Sequence, residues 1–316
     1  GWDEFKRLAL EAREKYPSGW GPAPDFAVEE AGAAPNLVAT VEPDDSEYLA
    51  WKRDNVVRQK QAGFSAVTVV LPLGDVTTPQ LRSLADLIAL YADGRARITI
   101  GQNILLRWVR SDRLPSLWKR LRAIGLAEAG ANTISDITAC PGADTCNLGI
   151  TSSKGLTRAL RQAFREAGPE FEAARSLVIK ISGCPNSCGQ HHVADIGLHG
   201  AARKVGEVEI PSYNVLLGGS ARPVDGDSEF GALTTRIAAR LVPAAVLAIG
   251  ALWTRERSAD ESFRGFVARL GAQRWKDLLG PFAEDPAPER TDGLRVDWGQ
   301  QDRFVTIKGM KGECAV

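Results

Sequence analysis

The sequence predicts an α+β fold made of two successive units. Between residues 54 and 124, a pair of strands followed by a helix occurs twice. After residue 130, short apolar strands alternate with amphipathic helices, and two of these strands run directly into pairs of cysteines. The repeated order of paired strands and a helix is typical of a small α+β sheet, and we expect the first unit to be ferredoxin-like.

The elements of the ferredoxin-like unit follow from periodicity and turn residues. A short helix is expected over 1–16, and the proline-rich segment 16–47 is expected to be a connector. Strands are predicted at 54–59, 64–71, 96–100 and 104–109. Thr78 followed by Pro79 predicts a helix start, because proline at the first helical position loses no hydrogen bond. A second helix is predicted over 114–124.

The later part of the chain forms the cysteine-bearing unit. Its predicted strands are 133–138, 177–181, 194–200 and 213–217, with a final pair at 294–298 and 303–308. Its predicted helices are 156–167, 230–241, 243–257 and 261–279. We therefore expect an N-terminal helix and linker over 1–47, the ferredoxin-like unit over 48–127 and the cysteine-bearing unit over 128–316.

Composition argues against several classes of function. The hydrophobic content of 44% and the charged content of 25% are those of a soluble globular protein. The 39 basic and 39 acidic residues balance, so no overall field attracts nucleic acid or an anionic membrane. The longest apolar run, 241–253, suits a buried helix better than a membrane span, and the charged start does not resemble a signal peptide. A cytoplasmic protein is expected.

Four of the five cysteines form two close pairs that can hold one metal centre. Cys140 and Cys146 form a C-x5-C pair, and Cys184 and Cys188 form a C-x3-C pair. Four thiolates can bind zinc or an iron–sulfur cluster. Zinc knuckles are usually tighter, whereas loops rich in small residues suit a [4Fe–4S] cluster, whose sulfurs accept backbone N–H groups. Four unligated thiols are the remaining alternative, and Cys314 is expected to be an idle thiol.

The residues around these cysteines resemble a known family. Cys140-x5-Cys146, together with the later segment SGCPNSCG at 182–189, is similar to the cluster signature of the sirohaem-containing sulfite and nitrite reductases. Further segments resemble that family at 98–103, 194–200, 213–219, 253–257 and 262–266. The resemblance extends from about residue 50 to 275, and it implies a ferredoxin-like half-domain followed by a sirohaem- and cluster-binding reductase domain with a mixed sheet flanked by helices.

The resemblance implies a coupled cofactor centre. It assigns a [4Fe–4S] cluster to Cys140, Cys146, Cys184 and Cys188, and it makes Cys188 the axial ligand of the sirohaem iron as well. The implied reaction is the six-electron reduction of sulfite to sulfide or of nitrite to ammonia, with ferredoxin or a flavoprotein as electron donor. The many carboxylates of sirohaem need cations and N–H donors. By motif position the candidates are Arg97, Gln102, Asn103, Asn147, Lys154, Asn186 and Arg222.

Alternatives stand beside these assignments. Each arginine or lysine alone could be a solvated surface charge, and Gln102 and Asn103 could make structural hydrogen bonds. His191 and His192 depart from the family's pattern, and we expect them to be structural or to support the site rather than to bind metal. A non-catalytic iron–sulfur electron-transfer or scaffold subunit, and a zinc-stabilised binding domain, are the alternative functions.

The family is built from two pseudo-symmetric halves, and this chain matches only the half that bears the cluster. The chain starts with glycine, and its single methionine is Met310. We therefore expect the C-terminal half of a longer reductase, or a subunit that needs a partner half. The family's anion-binding Arg and Lys residues come mostly from the other half, so no catalytic residue is assigned here. A small anion is the expected substrate, and no nucleic-acid or membrane partner is expected.

Overall fold

The structure is a computed structural model that describes residues 1–15, 41–221, 228–284 and 291–305. The chain divides into two compact parts, Gly1–Leu37 and Val38–Val316. Helix α1 (Trp2–Lys15) belongs to the first part and confirms the predicted N-terminal helix. Most of the predicted connector, Arg222 and Cys314 lie outside the described residues. Of the helices in the described ranges, none is both long and apolar enough to cross a membrane.

The ferredoxin-like unit contains a four-stranded antiparallel sheet. Its strands are β1 (Val56–Arg58), β2 (Phe64–Val69), β3 (Ala96–Ile98) and β4 (Ile104–Arg110), in the order β1-β2-β4-β3. Helix α2 (Ser46–Asn55) precedes the sheet, and α3 (Thr78–Tyr91) and α4 (Leu114–Ala123) connect and follow its strands. The predicted start of α3 is confirmed, because Thr77 and Gln80 form a capping box in which each side chain bonds the other's backbone N–H.

The cysteine-bearing unit contains a five-stranded mixed sheet. Its strands are β5 (Thr138–Ala139), β6 (Ile179–Ser182), β7 (Ile196–Val205), β8 (Val208–Leu217) and β9 (Ala232–Ala238), in sequential order. The first three strands are parallel and the last three antiparallel. The helices are α5 (Ser153–Glu166), α6 (Val242–Glu256) and α7 (Phe263–Ala283). One apolar core joins sheet and helices, and it includes Ile181, Leu198, Tyr213, Leu160, Ile249 and Phe266.

Several predicted elements differ from the structure. The helix predicted over 230–241 is wrong, because this segment contains β9. The hydrogen bonds of β9 to β8 outweigh the helix-like spacing of its apolar residues. The final strand pair is wrong for the described residues up to 305, which contain only a 3-10 turn, Asp292–Leu294, beyond α7. The predicted strand 133–138 is reduced to β5. Helix α2 occupies the end of the predicted connector and the start of the first predicted strand, with Asp45 as its cap.

Asn55 joins the ferredoxin-like unit to the segment that enters the cysteine-bearing unit. Its side-chain N–H groups donate to the carbonyls of Thr68 at 2.9 Å and Glu128 at 2.8 Å. Its Oδ1 accepts from the backbone N–H groups of Gly130 at 3.1 Å and Ala131 at 3.3 Å. Because Asn55 is buried, these backbone groups have no water to replace it.

We predict that Asn55→Ala lowers the free energy of unfolding by about 2–4 kcal/mol, because it leaves buried donors and acceptors without partners. Urea denaturation measures the change. Gln162→Ala is the control, because the Gln162 side chain bonds Glu166 on the exposed face of α5, and it is expected to change stability by less than about 0.5 kcal/mol. Equal losses for the two variants would contradict the role of Asn55.

Candidate metal centre

The two cysteine pairs begin where neighbouring parallel strands end. Ala139 pairs with Ile181 in the β5–β6 register, so Cys140 follows one strand and Gly183-Cys184 the other. The Cys140 N–H donates to the Ile181 carbonyl at 3.1 Å, and the Gly183 N–H donates to Cys140 Sγ at 3.1 Å. The pairing of β5 with β6 therefore brings the first cysteine of each pair to one edge of the sheet.

The loops that carry the cysteines are packed backbone against backbone. The N–H groups of Ile150 and Thr151 donate to the Gly183 carbonyl at 2.8 and 3.0 Å, and the Ala143 N–H donates to the Thr151 carbonyl at 2.9 Å. A Cβ atom on Gly183 would lie 2.6 Å from the Gly142 Cα and 2.7 Å from the Thr151 oxygen. Only glycine permits this approach, so the small residues of the motif serve loop packing.

A left-handed turn shapes the second cysteine pair. Ser187 and Gln190 have φ angles of 61° and 60°, and the Gln190 N–H donates to the Ser187 carbonyl at 2.7 Å. Ser182 Oγ accepts from the Gly189 N–H at 3.1 Å and lies 2.9 Å from His191 Nδ1. Ser182, at the end of β6, thus holds Gly189, the residue that follows Cys188.

The four thiols influence one another electrostatically. Burial raises the pKa of the Cys184 thiol, and the nearby Cys140, Cys146 and Cys188 raise it further, while the Asn186 backbone N–H opposes them. All four thiols are free; Cys140 and Cys184 are buried, whereas Cys146 and Cys188 are exposed. No three His, Cys, Asp or Glu side chains in the described ranges are arranged to hold a single metal ion. Four neighbouring thiolates repel, so a positively charged group is needed to stabilise them together.

The candidate amides of the ferredoxin-like unit make hydrogen bonds within the protein. Gln102 Nε2 donates to the Ala139 carbonyl at 2.8 Å, and Gln102 Oε1 accepts from the Ala139 N–H at 3.0 Å. Asn103 is buried; its Oδ1 accepts from the Leu71 N–H at 2.9 Å, and its Nδ2 donates to both Asp136 carboxylate oxygens at 2.9 Å. Both side chains therefore make structural hydrogen bonds, which is the alternative to binding sirohaem.

The other candidates lie in three kinds of place. Asn147 and Asn186 are exposed on the cysteine loops. Lys154 Nζ pairs with the Asp75 carboxylate at 2.5 Å, which links α5 to the ferredoxin-like unit. Arg97 is exposed on the edge strand β3. The structure thus brings the two asparagines beside the cysteines.

Residues at the start of α5 support the first cysteine pair, and sequence reasoning missed them. Ser153 Oγ donates to the Cys140 carbonyl at 2.6 Å, and the Ser152 N–H donates to Asp297 Oδ2 at 2.7 Å. Burial raises the pKa of Asp297, and the N–H groups of Ser152 and Trp298 partly oppose that shift. Two serines before an amphipathic pattern are a recognisable N-cap signal, since Ser152 caps α5. The distant Asp297 carries no such signal.

All three histidines of the chain lie together beside the second cysteine loop. The His191 ring centroid is 4.1 Å from that of His192 and 4.7 Å from that of His199. Burial, followed by the neighbouring His192 and His199, lowers the pKa of His191 to about 3. His191 is therefore neutral at pH 7, and it bonds Ser182.

Comparison with known proteins identifies the family. The model of the nitrite/sulfite reductase ferredoxin-like half domain matches residues 57–124, and that of the nitrite and sulphite reductase 4Fe-4S domain matches residues 130–284. The chain belongs to the nitrite and sulfite reductase family. The predicted α+β architecture of this family, a ferredoxin-like half-domain followed by a reductase domain, is confirmed.

Individual members of the nitrite and sulfite reductase family match this chain over part of their own length. The ferredoxin–nitrite reductase of Synechococcus elongatus is 36% identical over 61% of this chain and 36% of its own length. Sulfite reductase [ferredoxin] 2 of Mycolicibacterium paratuberculosis is 31% identical over 58% of this chain and 34% of its own length. The NirA structure from Mycobacterium tuberculosis superposes with a TM-score of 0.60 at 25% identity, over 70% of this chain and 41% of that one. This chain spans about a third of the length of these curated relatives.

The family carries sirohaem and a [4Fe–4S] cluster, and the residues described here fit the cluster. Four thiols lie near one another, and backbone N–H groups of Gly183 and Asn186 point at the Cys140 and Cys184 sulfurs. Such N–H donors stabilise thiolates and tune the potential of an iron–sulfur cluster. Cys146 and Cys188 are exposed.

We predict that Gly183→Ala forces the cysteine loops apart, because the added Cβ meets backbone atoms that cannot rotate away. The expected result is a loss of about 1–3 kcal/mol in the free energy of unfolding and a large fall in bound iron. Gly293→Ala is the control, because a Cβ there would have no atom within 4 Å, and it is expected to change stability by less than about 0.5 kcal/mol. Unchanged iron content in Gly183→Ala would contradict this packing.

We predict that stability falls with pH below about 6.5, because unfolded His191 binds a proton that the folded protein excludes until about pH 3. The contribution of neutral His191 to the free energy of unfolding is complete above the pKa that this residue has in the unfolded chain. It is lost as pH falls towards the pKa in the folded protein. Urea denaturation at several pH values should give a slope of up to about 1.4 kcal/mol per pH unit from this group. His191→Asn should flatten the slope, whereas His192→Asn should retain most of it. Identical slopes for wild type and His191→Asn would refute the prediction.

Proposed function

We propose that this chain is the cluster-bearing part of a sirohaem-dependent reductase that reduces nitrite to ammonia or sulfite to sulfide. The observation that carries the proposal is the convergence of two cysteine pairs at the ends of parallel strands, inside a matched 4Fe-4S domain. Ferredoxin is the proposed electron donor, because the relatives include ferredoxin-dependent nitrite and sulfite reductases. The remainder of the catalytic site would come from another half of the same reductase or from a partner subunit.

The four cysteines have unequal roles in this proposal. Cys140, Cys146, Cys184 and Cys188 are the proposed cluster ligands. Cys140 and Cys184 are buried between the packed loops, so only Cys146 and Cys188 have surface from which a second cofactor could be reached. Of these two, Cys188 has the position in the motif that the family uses as a bridge. We therefore propose that Cys188 would bind the sirohaem iron as well as the cluster.

The chain's own residues would hold charge and orientation around the cofactors. When bound, sirohaem supplies the iron at which the anion is reduced, and the cluster supplies electrons one at a time. The backbone N–H groups of Gly183 and Asn186 would stabilise the thiolates against their mutual repulsion. The exposed Asn147 and Asn186 amides are available to donate to cofactor carboxylates. Arg97, Lys154 and Arg222 remain proposed as cations for the same carboxylates.

We predict that the holoprotein, assembled with its other half, contains four iron atoms per cluster and shows both a Soret band and a red-region band. Cys188→Ser is expected to abolish the magnetic coupling between haem and cluster in electron paramagnetic resonance spectra. Cys314→Ser is the control, because this cysteine lies outside both pairs, and its spectra should match those of the wild type.

Three outcomes would contradict parts of this proposal. Normal coupling in Cys188→Ser would remove the bridging assignment while leaving the cluster. A cluster without a Soret band would favour the electron-transfer or scaffold alternative. A colourless protein containing zinc would refute the cluster itself.

A further inference from the structure

The side chain of Gln102 bonds the backbone of Ala139 as a neighbouring strand would. Its amide donates to the Ala139 carbonyl at 2.8 Å and accepts from the Ala139 N–H at 3.0 Å. Strand β5 is the edge of its sheet, so β6 lies on one side only. The adjacent Cys140 N–H faces β6 and bonds the Ile181 carbonyl. The chain entering the first cysteine loop is therefore held from both sides, by β6 and by Gln102.

Gln102 is itself held in an unfavourable backbone conformation. Its φ angle is 66°, a left-handed value that side-chain-bearing residues seldom adopt. The turn that imposes this angle is closed by bonds from the Gln102 N–H to the Thr99 carbonyl at 3.0 Å and from the Thr99 N–H to the Asn103 carbonyl at 2.8 Å. A strained conformation of this kind persists only where the surrounding structure fixes it.

Asn103, the next residue, reinforces the same connection. Its amide bonds Asp136, which in turn accepts from the Asn132 N–H at 2.8 Å. One turn of the ferredoxin-like unit thus holds the chain at Asp136 and again at Ala139, just before Cys140. Ala139 is fully buried, so removal of the Gln102 amide would leave an N–H and a carbonyl without partners.

We infer that Gln102 is a positioning residue for Cys140, through which the ferredoxin-like unit sets the geometry and lifetime of the cluster. The inference rests on the proposed function, because it takes Cys140 to be a cluster ligand. Gln102 acts through the Ala139 backbone and does not touch the cluster in this role. Its loss should loosen one of four ligands, and a loosened thiolate changes both the rate of iron release and the reduction potential.

The test compares Gln102→Ala, Gln102→Glu and Gln80→Ala in the full protein with its cluster. Iron release to a ferrous chelator under anaerobic conditions and the cluster's reduction potential are the readouts. Gln102→Ala should release iron about tenfold faster, an effect within the range expected for the loss of two hydrogen bonds, and should shift the potential. Gln102→Glu keeps the acceptor for the Ala139 N–H but loses the donor, so an intermediate rate is expected.

Gln80 offers a matched control in the same unit. Its amide donates to the Ile124 carbonyl at 3.1 Å and accepts from the Thr77 N–H at 3.1 Å, so it also joins two segments. Gln80→Ala should weaken folding without changing iron release by more than about twofold or moving the potential. Faster iron release in Gln102→Ala but not in Gln80→Ala would support positioning over a general loss of stability.

Two results would overturn the inference. The first is a folded Gln102→Ala protein whose iron release and potential equal those of the wild type. The second applies if that variant does not fold: hydrogen exchange of the Ala139 amide in the wild type that is as fast as that of an exposed amide would refute the contact. Absence of iron and sulfide from the wild type would refute the proposed function separately, and the Ala139 exchange measurement would still test the Gln102 bond.

Discussion

The parallel pairing of β5 with β6 is the constraint on which the proposed metal centre depends. The strands are only two and four residues long, yet their register places Cys140 beside Gly183 and Cys184. So short a pairing cannot be stable alone, since a parallel ladder needs covered faces and neighbouring strands. Strand β7, the core beneath β6 and the Gln102 amide outside β5 supply that support. The arrangement of the cysteine pairs therefore depends on the whole sheet rather than on a local motif.

Close backbone packing gives the two loops their second constraint. Gly142 and Gly183 allow the loops to approach within the space that one Cβ would fill, and the Thr151 backbone bonds both sides of the gap. This approach buries Cys140 and Cys184 but leaves Cys146 and Cys188 exposed. Burial disfavours thiolates, whereas the N–H groups aimed at sulfur favour them. The same packing thus encloses Cys140 and Cys184 and keeps Cys146 and Cys188 accessible.

The sequence predicts this site better than it predicts its supports. Cysteine pairs that directly follow apolar strands can be placed at a sheet edge, because a strand's direction fixes where its end lies. The partner of a polar side chain cannot be read in the same way, since Gln102 and Ala139, or Ser152 and Asp297, are far apart in sequence. Strand β9 was mistaken for a helix for a related reason: its pairing with β8 decides its conformation, and local spacing does not record that pairing.

The amides of Asn55, Gln102 and Asn103 give the ferredoxin-like unit a specific mechanical role. All three reach into residues 128–139, the segment that leads to Cys140. Each bonds main chain or a partly buried carboxylate, so a change in any one leaves polar groups unsatisfied rather than merely removing a contact. A simple linker between two independent domains would not need such bonds. The arrangement instead makes the ferredoxin-like unit part of the frame that holds the first cysteine pair. The two regions matched by separate family models are thus joined by hydrogen bonds next to the proposed metal centre.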